Sequence, residues 1–129
     1  MSAWSHLPNA HHIDWVLASL KENPELWDAS WSVASDAAWE AASDKTKDSA
    51  RQPPMFAAWD TAWGTSKGVA RAAVQNTILV LIAYDDCDQF LNMTYEKMKV
   101  WAVLSEDPRA VLLLPMVYVK EKLLQEVAV

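Results

Sequence analysis

Glycine is nearly absent from this chain of 129 residues: Gly64 and Gly68 are the only two. That scarcity excludes Gly-rich phosphate cradles and the dinucleotide-binding fingerprint, and it argues against a turn-rich β-sandwich or barrel. Cysteine is scarcer still. Cys87 stands alone, so neither an internal disulfide framework nor a multi-cysteine zinc site is open to the chain. A single thiol fits a reducing compartment, and Cys87 reads as a small buried hydrophobe. Long apolar runs are missing as well: the longest, Ala110 to Val119, holds ten residues and contains Pro115, whereas a membrane-spanning helix needs about 20. The first residues, MSAWSHLPNAHHIDW, lack a basic start followed by an apolar stretch. No secretory signal is expected, and the location expected is the cytoplasm.

What the chain does contain is material to bury. Apolar residues make up 52% of it and eight residues are tryptophan, in a mass of 14.5 kDa. This suits one domain over residues 1–129 around a single core, with residues 1–8 read as a flexible N-terminus. The net charge of -6 is unevenly spread: residues 1–44 hold seven acids against Lys21 alone, while residues 45–82 hold five bases against Asp48 and Asp60. An acidic first third beside a basic middle suits internal pairing or a patch complementary to a protein partner. The cations are scattered, without the one-sided cluster that a phosphate backbone requires, so nucleic acid is disfavoured as a partner.

With turns scarce, helices are the expected element, and the fold class expected is an all-α, single-domain bundle of about five or six helices. Asn9 is placed to cap a first helix running to about Glu22, in which Ile13, Val16, Leu17 and Leu20 recur at helical spacing. Pro24 suits the first position of a second helix extending to about Ser49, because its missing N–H would be unpaired there in any case. Projected at 100° per residue, Trp27, Trp31, Ala34, Ala38, Ala41 and Ala42 share one arc and Glu25, Asp36, Glu40 and Asp44 the opposite one. Gln52-Pro53-Pro54 breaks the chain. Beyond it Trp27-Asp28-x-x-Trp31 recurs as Trp59-Asp60-x-x-Trp63, which predicts a duplicated antiparallel helical hairpin whose two copies pack on each other. The phase of Met55, Phe56, Trp59, Trp63, Ser66, Ala70, Ala73, Val74, Thr77, Leu81 and Tyr84 predicts one long helix through both glycines. Its segment Ile78 to Ala83, apolar all round, belongs at the centre. Thr94 and Asp107-Pro108 mark the starts of two further helices, with Pro115 kinking or dividing the last.

Candidate chemistry is sparse. His6, His11, His12 and Asp14 are the only histidine cluster, but no pair has the i, i+4 spacing with which two imidazoles grip one ion. Asp85-Asp86-Cys87-Asp88 is the densest acidic run. Adjacent carboxylates can hold a hard cation, so Asp85, Asp86 and Asp88 are weak metal candidates for a small metal-dependent enzyme. Asp86 with Gln89 three residues on also resembles a capping box for a short helix. No nucleophile–base arrangement stands out, and no cofactor is expected. Trp39 projects beside the acidic arc, its duplicate position holds Arg71, and Trp4 precedes the first helix. Trp39, Trp4 and Arg71, with Asp36 and Glu40, are therefore the candidate partner-binding residues. On this reading, truncating Trp39 leaves stability nearly unchanged.

The repeated Trp-Asp-x-x-Trp blocks with interspersed alanines, followed by Ile82-Ala83-Tyr84-Asp85-Asp86-Cys87 and Val111-Leu112-Leu113-Leu114-Pro115, resemble small uncharacterised bacteriophage-encoded proteins over roughly residues 27–115. The resemblance implies an interaction protein that inhibits or modulates a host enzyme, a transcription component or a defence complex, in the host cytoplasm. A self-assembling structural subunit is the third expectation, with a homo-oligomer as its form.

Overall fold

The computed structural model describes residues 3–31, 36–105 and 107–127. Among these the only regular secondary structure is helix, in α1 (Ala10–Glu22), α2 (Pro24–Trp31), α3 (Asp36–Lys47), α4 (Gln52–Thr65), α5 (Gly68–Ala83), α6 (Asp88–Leu91), α7 (Tyr95–Ser105) and α8 (Pro108–Val127). The helix starts follow local chemistry. Pro24 and Pro108 occupy first positions, and Pro53 and Pro54 lie in the first turn of α4. Thr94 Oγ1 accepts from the Lys97 amide, and Asp107 Oδ1 from that of Arg109, so both expected caps form. Pro115 does not divide α8, which runs on as one helix.

Two apolar helices hold the molecule together. In α5 every side chain from Thr77 to Ile82 is buried, and α1, α2, α3, α4 and α8 all pack on it. In α8 every residue from Ala110 to Val117 is buried, against α2, α3, α5, α6 and α7. A helix apolar on all sides is stable in water only when enclosed, which is why these two occupy the centre. Thr77 Oγ1 donates to the carbonyls of Ala73 and Leu112, joining the pair through an otherwise apolar contact.

The expected long helix over residues 55–84 is broken. Ser66 and Lys67 are extended and Gly68 has φ +63°, in the left-handed region that glycine adopts at no steric cost. The chain folds back there, so that the Trp59 Nε1–H reaches the Gln75 carbonyl at 3.0 Å and α4 lies antiparallel on α5. This hairpin lies inside the second Trp-Asp-x-x-Trp half. The two halves meet chiefly through α5, on which α2 and α4 both pack. The blocks also differ in use. Asp28 Oδ1 accepts from the Ala70 amide and caps α5 across the chain, whereas its counterpart Asp60 is exposed on α4. Asp28→Ala is accordingly expected to lower stability by about 1 kcal/mol, as for loss of an N-cap. Asp60→Ala should stay within about 0.5 kcal/mol, as for an ordinary surface change. Urea denaturation of the two variants side by side measures the difference.

The phase expected of residues 24–49 is not found. Ala34 lies outside the described residues, but Ala41 is exposed while Trp39, Ala42, Ser43 and Thr46 are buried, at the i, i+3, i+4, i+7 spacing of one helix face. The seam of α3 is therefore rotated from the one continued out of α2. At the N-terminus Trp4 and Leu7 are buried in the core, and the Trp4 indole donates to Asp14 Oδ1 at 2.9 Å.

Candidate functional site

The residues singled out as a partner surface separate on folding. Trp39 is 1% exposed and stacks on Trp31, with ring centroids 5.4 Å apart and planes 13° from parallel; Trp4 is 7% exposed. The exposure expected of both is corrected: each indole is interior, because α3 turns Trp39 inward and the first residues fold back over α1. Glu40 is exposed, and the side chain of Asp36 lies outside the described residues. Trp39 and Glu40 do share a cleft of about 750 Å³ walled also by Trp31, Trp59, Gln75 and Asn76. The Trp39 Nε1–H has no hydrogen-bond partner among the described residues.

Arg71 is half-buried on α5 and meets Trp63 of α4 rather than the companions expected. Its Nε and Nη2 donate to the Ser66 carbonyl, and Nη2 also reaches that of Trp63, so the guanidinium satisfies the carbonyl end of α4. Held in this way, it lies 3.6 Å above the Trp63 ring. Trp63 is 58% exposed and Phe56, two turns earlier on the same outward stripe, is 51% exposed. In the expected long helix both share the arc of Trp59, Ala73 and Leu81. The helix break at Ser66 and Lys67 sets α4 in its own phase, with Met55, Ala58 and Ala62 inward and Phe56, Asp60 and Trp63 outward. Val100, Trp101 and Leu104 form a second outward apolar face, on α7.

The acidic run is dispersed rather than pooled. Asp85 pairs with Arg51 at 3.0 Å, Asp86 with Arg109 at 2.6 Å, and Asp88 with His12 at 2.5 Å. Arg109 also clasps Asp107 through Nε and Nη2 and lies over the ring of Phe90. Its charge-assisted bond holds the Asp86 carboxyl below the usual carboxylate range. The link from α5 to α6 is thus tied to three neighbours, each carboxylate facing a different partner. Burial pushes the Cys87 thiol up to about 12, which leaves it un-ionised and inert. The short helix α6 follows the run, but the capping box expected of Asp86 and Gln89 does not form: the N-cap position is Cys87, without a side-chain cap bond, the Asp86 carboxylate faces Arg109, and Gln89 Nε2 donates to the Asp86 carbonyl at 3.4 Å.

Folding joins two groups that stand far apart in the sequence. His11 and His12 bring their rings to 3.9 Å between centroids, and Asp88, seventy-six residues from His12, bonds it from the start of α6. Burial outweighs the carboxylate and lowers the His12 pKa, while the bond from His12 lowers that of Asp88. His6 is exposed ahead of α1, and Asp14 is occupied by Trp4. No sequence signal links residues 11 and 12 to residue 88. Compared with known proteins, the chain matches no family model, no curated protein and no solved structure.

Proposed function

We propose that the chain is a non-enzymatic interaction protein, encoded by a phage, that docks through the outer face of α4 onto a host or defence-system protein and modulates it. The observation that carries this reading is Trp63, an indole held out in solvent by a guanidinium whose own position is fixed by backbone carbonyls. Trp and Arg dominate interface hot spots, and a preset pair loses little conformational freedom on binding. The partner fitting this face carries an apolar pocket rimmed by acids. Residues 45–82 hold an excess of bases, and among the described residues the only ion pair between them and the acids of residues 1–44 is the local Lys47–Asp44 contact. Arg51 is taken up by Asp85, while Lys67, two residues past the end of α4, is exposed.

The test is direct binding between the purified chain and a protein captured with it from bacterial lysate. Trp63→Ala is expected to weaken that binding by at least about 2 kcal/mol, roughly thirtyfold, as for an interface hot spot. Its stability should stay within about 0.5 kcal/mol of the parent. Binding that survives both Trp63→Ala and Phe56→Ala overturns the reading. Self-assembly is the second reading, supported by Val100, Trp101 and Leu104 on α7. A concentration-dependent oligomer that Leu104→Asp dissolves would favour it over docking to a different protein.

A further inference from the structure

We propose that His11, His12 and Asp88 form a divalent transition-metal site that fastens the start of α1 to α6. One ligand atom from each lies within 4.8 Å of the other two. Two imidazoles and one carboxylate are a borderline N/O donor set, which suits zinc(II), cobalt(II) or nickel(II) and not magnesium or calcium, whose shells are built from six or more oxygens. The separations are close to those required. Ligands about 2.0–2.1 Å from a tetrahedral zinc lie about 3.4 Å from one another. The three side chains therefore need only small rotations, with the His12–Asp88 bond opening and His11 swinging inward. His11 and Asp88 are exposed, so both are free to make that adjustment, and water fills the remaining position.

Adjacency in sequence does not prevent the two histidines from acting together. In the first turn of α1 their rings tilt toward each other by side-chain rotation, at 38° between planes, although their Cβ positions diverge by about 100° around the helix. The carboxylate then has to come from another element, and Asp88 at the head of α6 provides it. It is the one member of the acidic run without an arginine partner, Asp85 and Asp86 being held by Arg51 and Arg109. The charge opposing a bound cation is Lys120 on α8, which acts electrostatically on both His12 and Asp88. This site stands apart from the α4 docking face and does not depend on it.

The experiment titrates zinc(II) by calorimetry and cobalt(II) by visible absorption into chelator-treated full chain near neutral pH. Expected are one ion per chain, cobalt bands of a low-coordinate N/O site, and a melting temperature that rises with zinc concentration, because the ion binds the folded state. His11→Ala and Asp88→Asn, both at exposed positions, should each weaken uptake more than about tenfold, since even residues behind a metal's direct ligands are commonly worth about 10–100-fold. His6→Ala and Asp85→Asn should leave uptake unchanged, and Lys120→Met should tighten it. No stoichiometric uptake, uptake indifferent to His11→Ala and Asp88→Asn, or equal uptake of magnesium overturns the proposal.

Discussion

Replacing Trp39 by alanine is expected to destabilise the protein by about 3–5 kcal/mol, the range for truncating a buried aromatic side chain. In a chain of this size that corresponds to a fall in melting temperature of roughly 10–20 °C. The indole is 1% exposed, stacks on Trp31 and heads the buried stripe completed by Ala42, Ser43 and Thr46. Its removal leaves a void that the neighbouring rings cannot close, because α3 is held to α5 and α8 along the rest of that stripe. Trp39→Phe separates ring from hydrogen bond. It keeps much of the apolar area and deletes an N–H that has no partner among the described residues, so it should cost far less than the alanine change. Calorimetric melting of both variants decides the matter. An alanine variant that melts within a few degrees of the parent, as a surface indole would, shows that Trp39 does not pack as described.

Asn9→Asp is the second large effect, and here two readings of one residue disagree in sign. Asn and Asp are equally good at an N-cap, so a capping role predicts that the exchange is harmless. In the structure the Asn9 amide makes no capping bond to α1. Its Nδ2 donates instead to the carbonyls of Leu81 and Tyr84, at 2.9 and 2.6 Å, where α5 ends and its last carbonyls lack helical partners. Arg51 Nη1 satisfies the Ile82 carbonyl beside them at 2.8 Å. A carboxylate at residue 9 has no proton to offer and turns negative oxygens toward two carbonyls in a site that is 2% exposed in total. The expected loss is at least about 2–3 kcal/mol, the cost of burying polar groups left unpaired plus that of the charge. Denaturant midpoints at neutral pH measure it, and protonating the new acid at low pH should recover part of the loss. An unchanged midpoint would assign Asn9 to capping after all.

Both cases show which features a single chain discloses. The starts at Pro24, Thr94 and Asp107-Pro108 could be read directly, since a cap or a missing N–H acts on its own backbone within one turn. The all-round apolarity of Ile78 to Ile82 likewise placed α5 at the centre, because no other surroundings are tolerable for such a helix. Helical phase was less durable. One hundred degrees per residue holds only inside an unbroken helix, and the extended Ser66 and Lys67 with left-handed Gly68 reset it for α5. Trp63 and Phe56 consequently face water rather than the core, and the α3 seam that carries Trp39 is rotated inward.

The candidate sites were legible only as ingredients. Arg71, the histidine pair and the acidic run are all visible as residues. Which cation meets which carboxylate is settled by how α1, α4 and α8 pack around α5 and α6 on α8, a sum of many weak contacts in which no single spacing dominates. The sequence by itself determined the helical class, most helix starts and the central element, for these follow from backbone chemistry and the avoidance of water. The tertiary structure alone decided which tryptophans are buried and that Asp88 meets His11 and His12, because those outcomes depend on distances between elements far apart along the chain.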